Sequence, residues 1–126
     1  MTTVLLVDDD PLQARVRKNT LGSCFRDVRR VSDAAEAFIL VEDAQFARGL
    51  GLVVVGLSRP GLGSAAFVAE LTSRLPAVPV LVLGRGREEA DFYDGVNVRL
   101  LARNAPPEQL VAACRQMLAQ CSARVA

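Results

Sequence analysis

Apolar residues gather along the chain in short runs on consecutive positions: Val4 to Val7, Leu52 to Val55, Val80 to Leu83 and, interrupted by Arg99, Val98 to Ala102. Such runs predict parallel β-strands covered on both faces, because crossover helices bury each side of the sheet and erase the alternation of a half-exposed strand. A weaker strand is expected at Phe25 to Val31, where Asp27, Arg29 and Arg30 interleave with Phe25, Val28 and Val31 and suit a sheet edge. The first helix should follow the acidic triplet Asp8, Asp9 and Asp10, with Asp10 capping its free N–H groups, Pro11 at the first helical position, and Leu12 and Val16 on one face. Ser32 is the candidate cap of a second helix, with Phe38 and Ile39 on its inward stripe and its end near Gly49 or Gly51. A third is expected from about Ser64 to Leu75, packing Phe67 and Leu71, with Pro76 and Pro79 at its exit. The segment Gly86 to Asp94 has room for only about two polar turns. The last helix follows Pro106 and Pro107 and repeats Leu110, Cys114, Met117 and Cys121 at helical spacing.

This alternation predicts one α/β domain over residues 1–126, a flavodoxin-like doubly wound parallel sheet of five strands in the order 2-1-3-4-5 with helices on both faces. Composition agrees: 51% of the residues are apolar and 23% charged, enough for a single core without disulfides. The net charge of +1 supplies no basic field to hold nucleic acid or an anionic membrane, so neither is an expected partner. Histidine is absent, and Cys24, Cys114 and Cys121 lack CxxC spacing, which removes the usual zinc sites and every His-based triad. Core packing is the expected role of Cys114 and Cys121. With no leader-like or membrane-length apolar segment, the expected compartment is the reducing cytoplasm.

In a doubly wound sheet the chemistry lies beyond the carboxyl ends of the strands. Asp8, Asp9 and Asp10 follow the first strand, Gly56 opens the run GLSRPGLGS after the third, Gly84 ends the fourth, and Arg103 follows the fifth. This set resembles the receiver domain of two-component response regulators, over essentially residues 3 to 121. Asp8 and Asp9 match the family's acidic pair, and Pro60 matches the proline that shapes the loop after the acceptor. Gly56 falls where the phosphoacceptor aspartate belongs, Gly84 at the switch Ser/Thr position and Leu100 at the switch aromatic position. Arg103, five residues before Glu108, stands in for the family's lysine, and Asn104 replaces the proline that usually follows it. Between Gly84 and Arg103 the chain is a few residues shorter than the usual receiver.

The resemblance implies a fold built for acyl-phosphate signalling, and each departure removes part of that chemistry. Glycine at position 56 has no carboxylate to attack a phosphoryl group, Gly84 has no hydroxyl to follow one, and Leu100 has no ring to swing. Asp8 and Asp9 remain as a vestigial, incomplete ligand set, so magnesium binding should be weak or absent and no cofactor is expected. Gly56 would also suit a turn with a positive backbone torsion. The acidic pair would equally serve as helix-capping charge. Two carboxylates about 4 Å apart repel by roughly 4 kcal/mol at an effective dielectric of about 20. A guanidinium would offset this, and Arg103 is expected to pair with Asp8 or Asp9 in place of the ion. The chain thus reads as a pseudo-receiver: a non-enzymatic, phosphorylation-independent module that binds a protein partner, a second copy or a fused output domain. The resemblance places Phe92, Tyr93 and Arg99 on the interaction surface. Two other readings are a displaced phosphoacceptor at Ser58, Asp8 or Asp9, and a small-ligand domain using the space vacated at Gly56 and Gly84.

Overall fold

Each central strand points successive side chains to opposite faces of the sheet, and both faces are apolar. In the computed structural model of the chain, which describes residues 2–57, 62–84 and 97–125, the elements run in order β1 (Thr3–Val7), α1 (Pro11–Gly22), β2 (Asp27–Val31), α2 (Ala34–Glu42), α3 (Ala44–Gly49), β3 (Leu50–Val55), α4 (Leu62–Arg74), β4 (Val80–Gly84), β5 (Val98–Ala102) and α5 (Pro107–Val125). The strands form one parallel sheet in the order β2-β1-β3-β4-β5, as the sequence predicts. Leu5, Val7, Val53, Val55, Val80 and Val82 face a core layer with Ala37 and Val41 of α2 and Phe67, Val68 and Leu71 of α4. Val4, Leu6, Leu52, Val54, Leu81 and Leu83 face the other layer, with Leu21 of α1 and Leu110, Ala113, Cys114 and Met117 of α5. The mixed strand β2 lies at the sheet edge, where its charged residues are exposed or half-buried.

Local signals set most of the boundaries. The Asp10 carboxylate accepts the Leu12 and Gln13 N–H groups at 3.0 and 3.3 Å, and Pro11 occupies the first position of α1. The second helix departs from expectation in three respects. Its cap is Asp33, whose carboxylate accepts the Glu36 N–H at 2.8 Å, and the Glu36 carboxylate in turn accepts the N–H of Ser32, one residue before the cap, at 2.8 Å. It ends at Glu42, because Asp43 adopts an extended backbone and caps the separate helix α3. Ile39 points outward and is 69% exposed; Ala37 and Val41 are the buried residues. Phe38 does turn inward, edge-on to Phe67 with ring centroids 5.3 Å apart. Leu12 and Val16 share a face of α1, but it is the solvent face; Ala14, Arg17 and Leu21 are buried. The segment Gly86 to Asp94, Phe92 and Tyr93 within it, Ser58, Pro60 and the side chain of Cys121 lie outside the described residues. Among the described residues no helix is long and apolar enough to cross a membrane.

Candidate functional site

Register brings the site residues together. Val7 on β1 pairs with Val55 on β3 and with Val31 on β2, so the residues that follow, Asp8 and Gly56, leave the sheet side by side. The pairing continues past the strands: the Gly56 N–H donates to the Val7 carbonyl at 2.7 Å and the Asp8 N–H to that of Val31 at 3.0 Å. On the other side, Gly84 pairs with Ala102, and the Arg103 N–H donates to the Gly84 carbonyl at 2.7 Å. Asp8, Gly56, Gly84 and Arg103 thus line one rim of the sheet. Leu100 sits inside β5, half-buried against the α2–α4 core layer.

Asp8 is fully buried, and every oxygen it carries is engaged. Its Oδ1 accepts the Asp10 N–H at 3.0 Å, its Oδ2 accepts Nη1 of Arg17 at 2.6 Å, and its carbonyl accepts Nε and Nη2 of Arg30 at 3.2 and 2.9 Å. The counter-ion of Asp8 is therefore Arg17, from the buried face of α1, so the Asp8 half of the expected pairing of Arg103 with Asp8 or Asp9 does not form. The Arg17 side chain is itself only 7% exposed, and its Nη2 reaches the Arg103 carbonyl at 3.4 Å. The Arg103 guanidinium donates to the carbonyls of Leu57 and Gly56 at 2.8 and 3.1 Å, bracing the turn that leaves β3.

Gly56 does not adopt the left-handed backbone, so the turn itself does not require glycine. Space does. A Cβ built on Gly56 would lie 2.9 Å from Nη1 of Arg17, closer than real Cβ atoms come, and 3.2 Å from Oδ2 of Asp8, tight enough that the carboxylate would have to give slightly. The volume in front of Gly56 is taken by the Arg17–Asp8 ion pair.

This donor set does not suit a magnesium ion. Such an ion needs near-octahedral oxygen ligands and sheds water reluctantly, whereas here both Asp8 carboxylate oxygens already accept hydrogen bonds and a guanidinium sits against one of them. Among the described residues, no three His, Cys, Asp or Glu side chains are grouped so that they would hold an ion.

Sequence reading missed Arg17. The signal was a cation at an inward helical position, between Ala14 and Leu21, opposite a strand-end carboxylate and a glycine that together offer charge and room. Beside the ion pair, a cleft of about 470 Å³ opens among Asp10, Gln13, Arg17, Gly84, Arg103 and Asn104. A narrower one of about 190 Å³ runs between α1 and the start of α5, past Val16, Leu101 and Leu110.

No protein-family model and no curated protein matches the chain. Solved structures do. The chain is similar to a CheY-like response regulator receiver domain protein from Methanospirillum hungatei JF-1, at 16% identity and a TM-score of 0.83 over 98% of both chains. It is similar to the adenylate cyclase structure from Rhodopirellula baltica, at 20% identity and a TM-score of 0.82, covering 98% of this chain and 91% of that one. The signal receiver domain of an HD domain-containing protein from Pseudomonas fluorescens Pf-5 matches at 19% identity and a TM-score of 0.81, over 97% of this chain and 98% of that one. The fold is that of CheY-like receiver domains.

Proposed function

We propose that this chain is a receiver-fold signalling module that acts without phosphorylation, by binding a protein partner or by docking against an output domain. The observation that carries this reading is Gly56: where the acceptor carboxylate of a receiver would stand there is no side chain, and Arg17 and Asp8 fill the space. An acyl phosphate forms by attack of a carboxylate oxygen on phosphorus, and Gly56 brings none to the acceptor position. Asp8 is buried and doubly hydrogen-bonded, which makes it a poor replacement nucleophile. Gly84 and Leu100 carry neither the hydroxyl nor the ring with which a receiver reports a phosphate.

A module without its own chemistry must act through contacts. The similar folds in an adenylate cyclase structure and in an HD domain-containing protein support an output domain or a separate protein as partner, with a second copy of the chain as the other candidate. Arg99, exposed and donating to Oε1 of Gln116 at 2.7 Å, joins Phe92 and Tyr93 as the proposed contact residues. Incubation with acetyl phosphate and magnesium, followed by intact-mass measurement, tests the reading. The expected result is no gain of a phosphoryl group; an acid-stable, base-labile adduct on this chain would overturn it. The cleft at Gly84 favours a second reading, a small-ligand module, for which a thermal-shift screen of metabolites and nucleotides is the test.

A further inference from the structure

We propose that Arg17 is the resident cation of this site, doing structurally what a bound divalent ion does in a phosphorylatable receiver and thereby excluding that ion. The inference rests on reading the rim as a phosphorylation site without its acceptor. A carboxylate buried as completely as Asp8 needs a positive partner. The partner is covalently part of the chain: Nη1 of Arg17 lies 2.6 Å from Oδ2 of Asp8, and both side chains are almost wholly out of solvent. The Arg17 head group also spans the site, since its Nη2 meets the carbonyl of Arg103 at 3.4 Å beyond β5. One guanidinium therefore ties the end of β1, α1 and the loop after β5 in a single arrangement.

Gly56 and Arg17 are then two halves of one exchange. A side chain at position 56 and the Arg17 head group compete for the same volume, as the 2.9 Å approach of a Cβ to Nη1 shows. Restoring a carboxylate at position 56 without removing the guanidinium adds an acid to a site whose cation is already seated, so the new carboxylate pairs with Arg17 and leaves no opening for a metal. Both positions must change together before an ion enters.

The full chain and three variants, Gly56→Asp, Arg17→Gln and Arg17→Gln/Gly56→Asp, are titrated with Mn²⁺, and paramagnetic broadening of the amide signals of Asp8, Asp9, Asp10 and residue 56 is recorded. Wild type, Gly56→Asp and Arg17→Gln should show no localised broadening up to an ion concentration about tenfold above the one that half-saturates the double variant, which should show it. Where removal of Arg17 impairs folding in metal-free buffer, the thermal midpoint with and without magnesium is the second reading: magnesium should raise it in the double variant and leave wild type unchanged. Broadening in wild type or in Gly56→Asp equal to that of the double variant overturns the proposal and leaves the phosphorylation-free reading intact. A phosphoryl adduct on wild type would instead remove the reading on which it rests. If the double variant stays unfolded, saturable localised broadening at those amides in wild type or in Gly56→Asp alone overturns the proposal, and its absence in both supports it.

Discussion

At Asp8 and Arg17 two opposite charges have been moved out of water together, and the energetics of such pairs are asymmetric. Removing one partner leaves the other charged and buried, so Arg17→Met should lower stability by about 3–5 kcal/mol in urea denaturation. The double variant Arg17→Met/Asp8→Leu should recover much of that loss, because an apolar pair of similar volume avoids the desolvation cost altogether. Full additivity of the two single changes would mean that the pair is not coupled. At Gly56 the penalty is steric: Gly56→Ala should cost about 1–3 kcal/mol, from a Cβ pressed against Nη1 of Arg17. Arg17 was not legible as a site residue, since a single arginine among the inward positions of a short helix looks like an error in an apolar stripe. It becomes intelligible only with Asp8 and Gly56 beside it, a juxtaposition made by strand register rather than by nearness in sequence.

The helices show where pattern and structure part. Cap residues were readable: Asp10 before Pro11 starts α1, and Asp10→Ala should cost about 1 kcal/mol. Inward faces were read less well. Leu12 and Val16 form an apolar pair in the sequence, yet both face solvent, while the core positions Ala14, Arg17 and Leu21 include an alanine and a cation. Leu12→Ser should therefore stay within about 0.5 kcal/mol of wild type, whereas Leu21→Ala should cost about 2–5 kcal/mol. In α5 the repeat Leu110, Cys114, Met117 and Cys121 marks the inward face as far as Met117, since the first three residues pack on the α1 face of the sheet and the Cys121 side chain lies outside the described residues. Burial, with a smaller contribution from the Cys24 thiolate, pushes the Cys114 thiol up to about 12 from 9.0. The folded state thus holds this thiol neutral where the unfolded chain would ionise. Its contribution is complete below pH 9 and is lost as pH rises toward 12, at about 1.4 kcal/mol per pH unit. Cys114→Ala should flatten that alkaline decline. Peptide mapping after native alkylation at pH 8 should find exposed Cys24 modified and Cys114 protected.

For the molecule as a whole, sheet order and the two-layer core were legible because apolar runs, turn residues and the handedness of crossovers leave few alternatives. The rim positions Asp8, Asp9, Gly56, Gly84 and Arg103 were legible as strand-end residues for the same reason. The partition of charge among them was not. Three guanidiniums converge there: Arg17 on the Asp8 carboxylate, Arg30 on the Asp8 carbonyl, and Arg103 on the carbonyls of Gly56 and Leu57. Each ties a strand end to another element, so the edge at which a receiver changes state is here cross-braced by the chain's own side chains. The account is tested most directly by adding beryllium fluoride with magnesium to the ¹⁵N-labelled chain and following its amide spectrum. It predicts that the signals of Asp8 to Asp10, Gly56, Gly84 and Arg103 stay where they are. Saturable shifts at those amides, appearing only when both reagents are present, would contradict it.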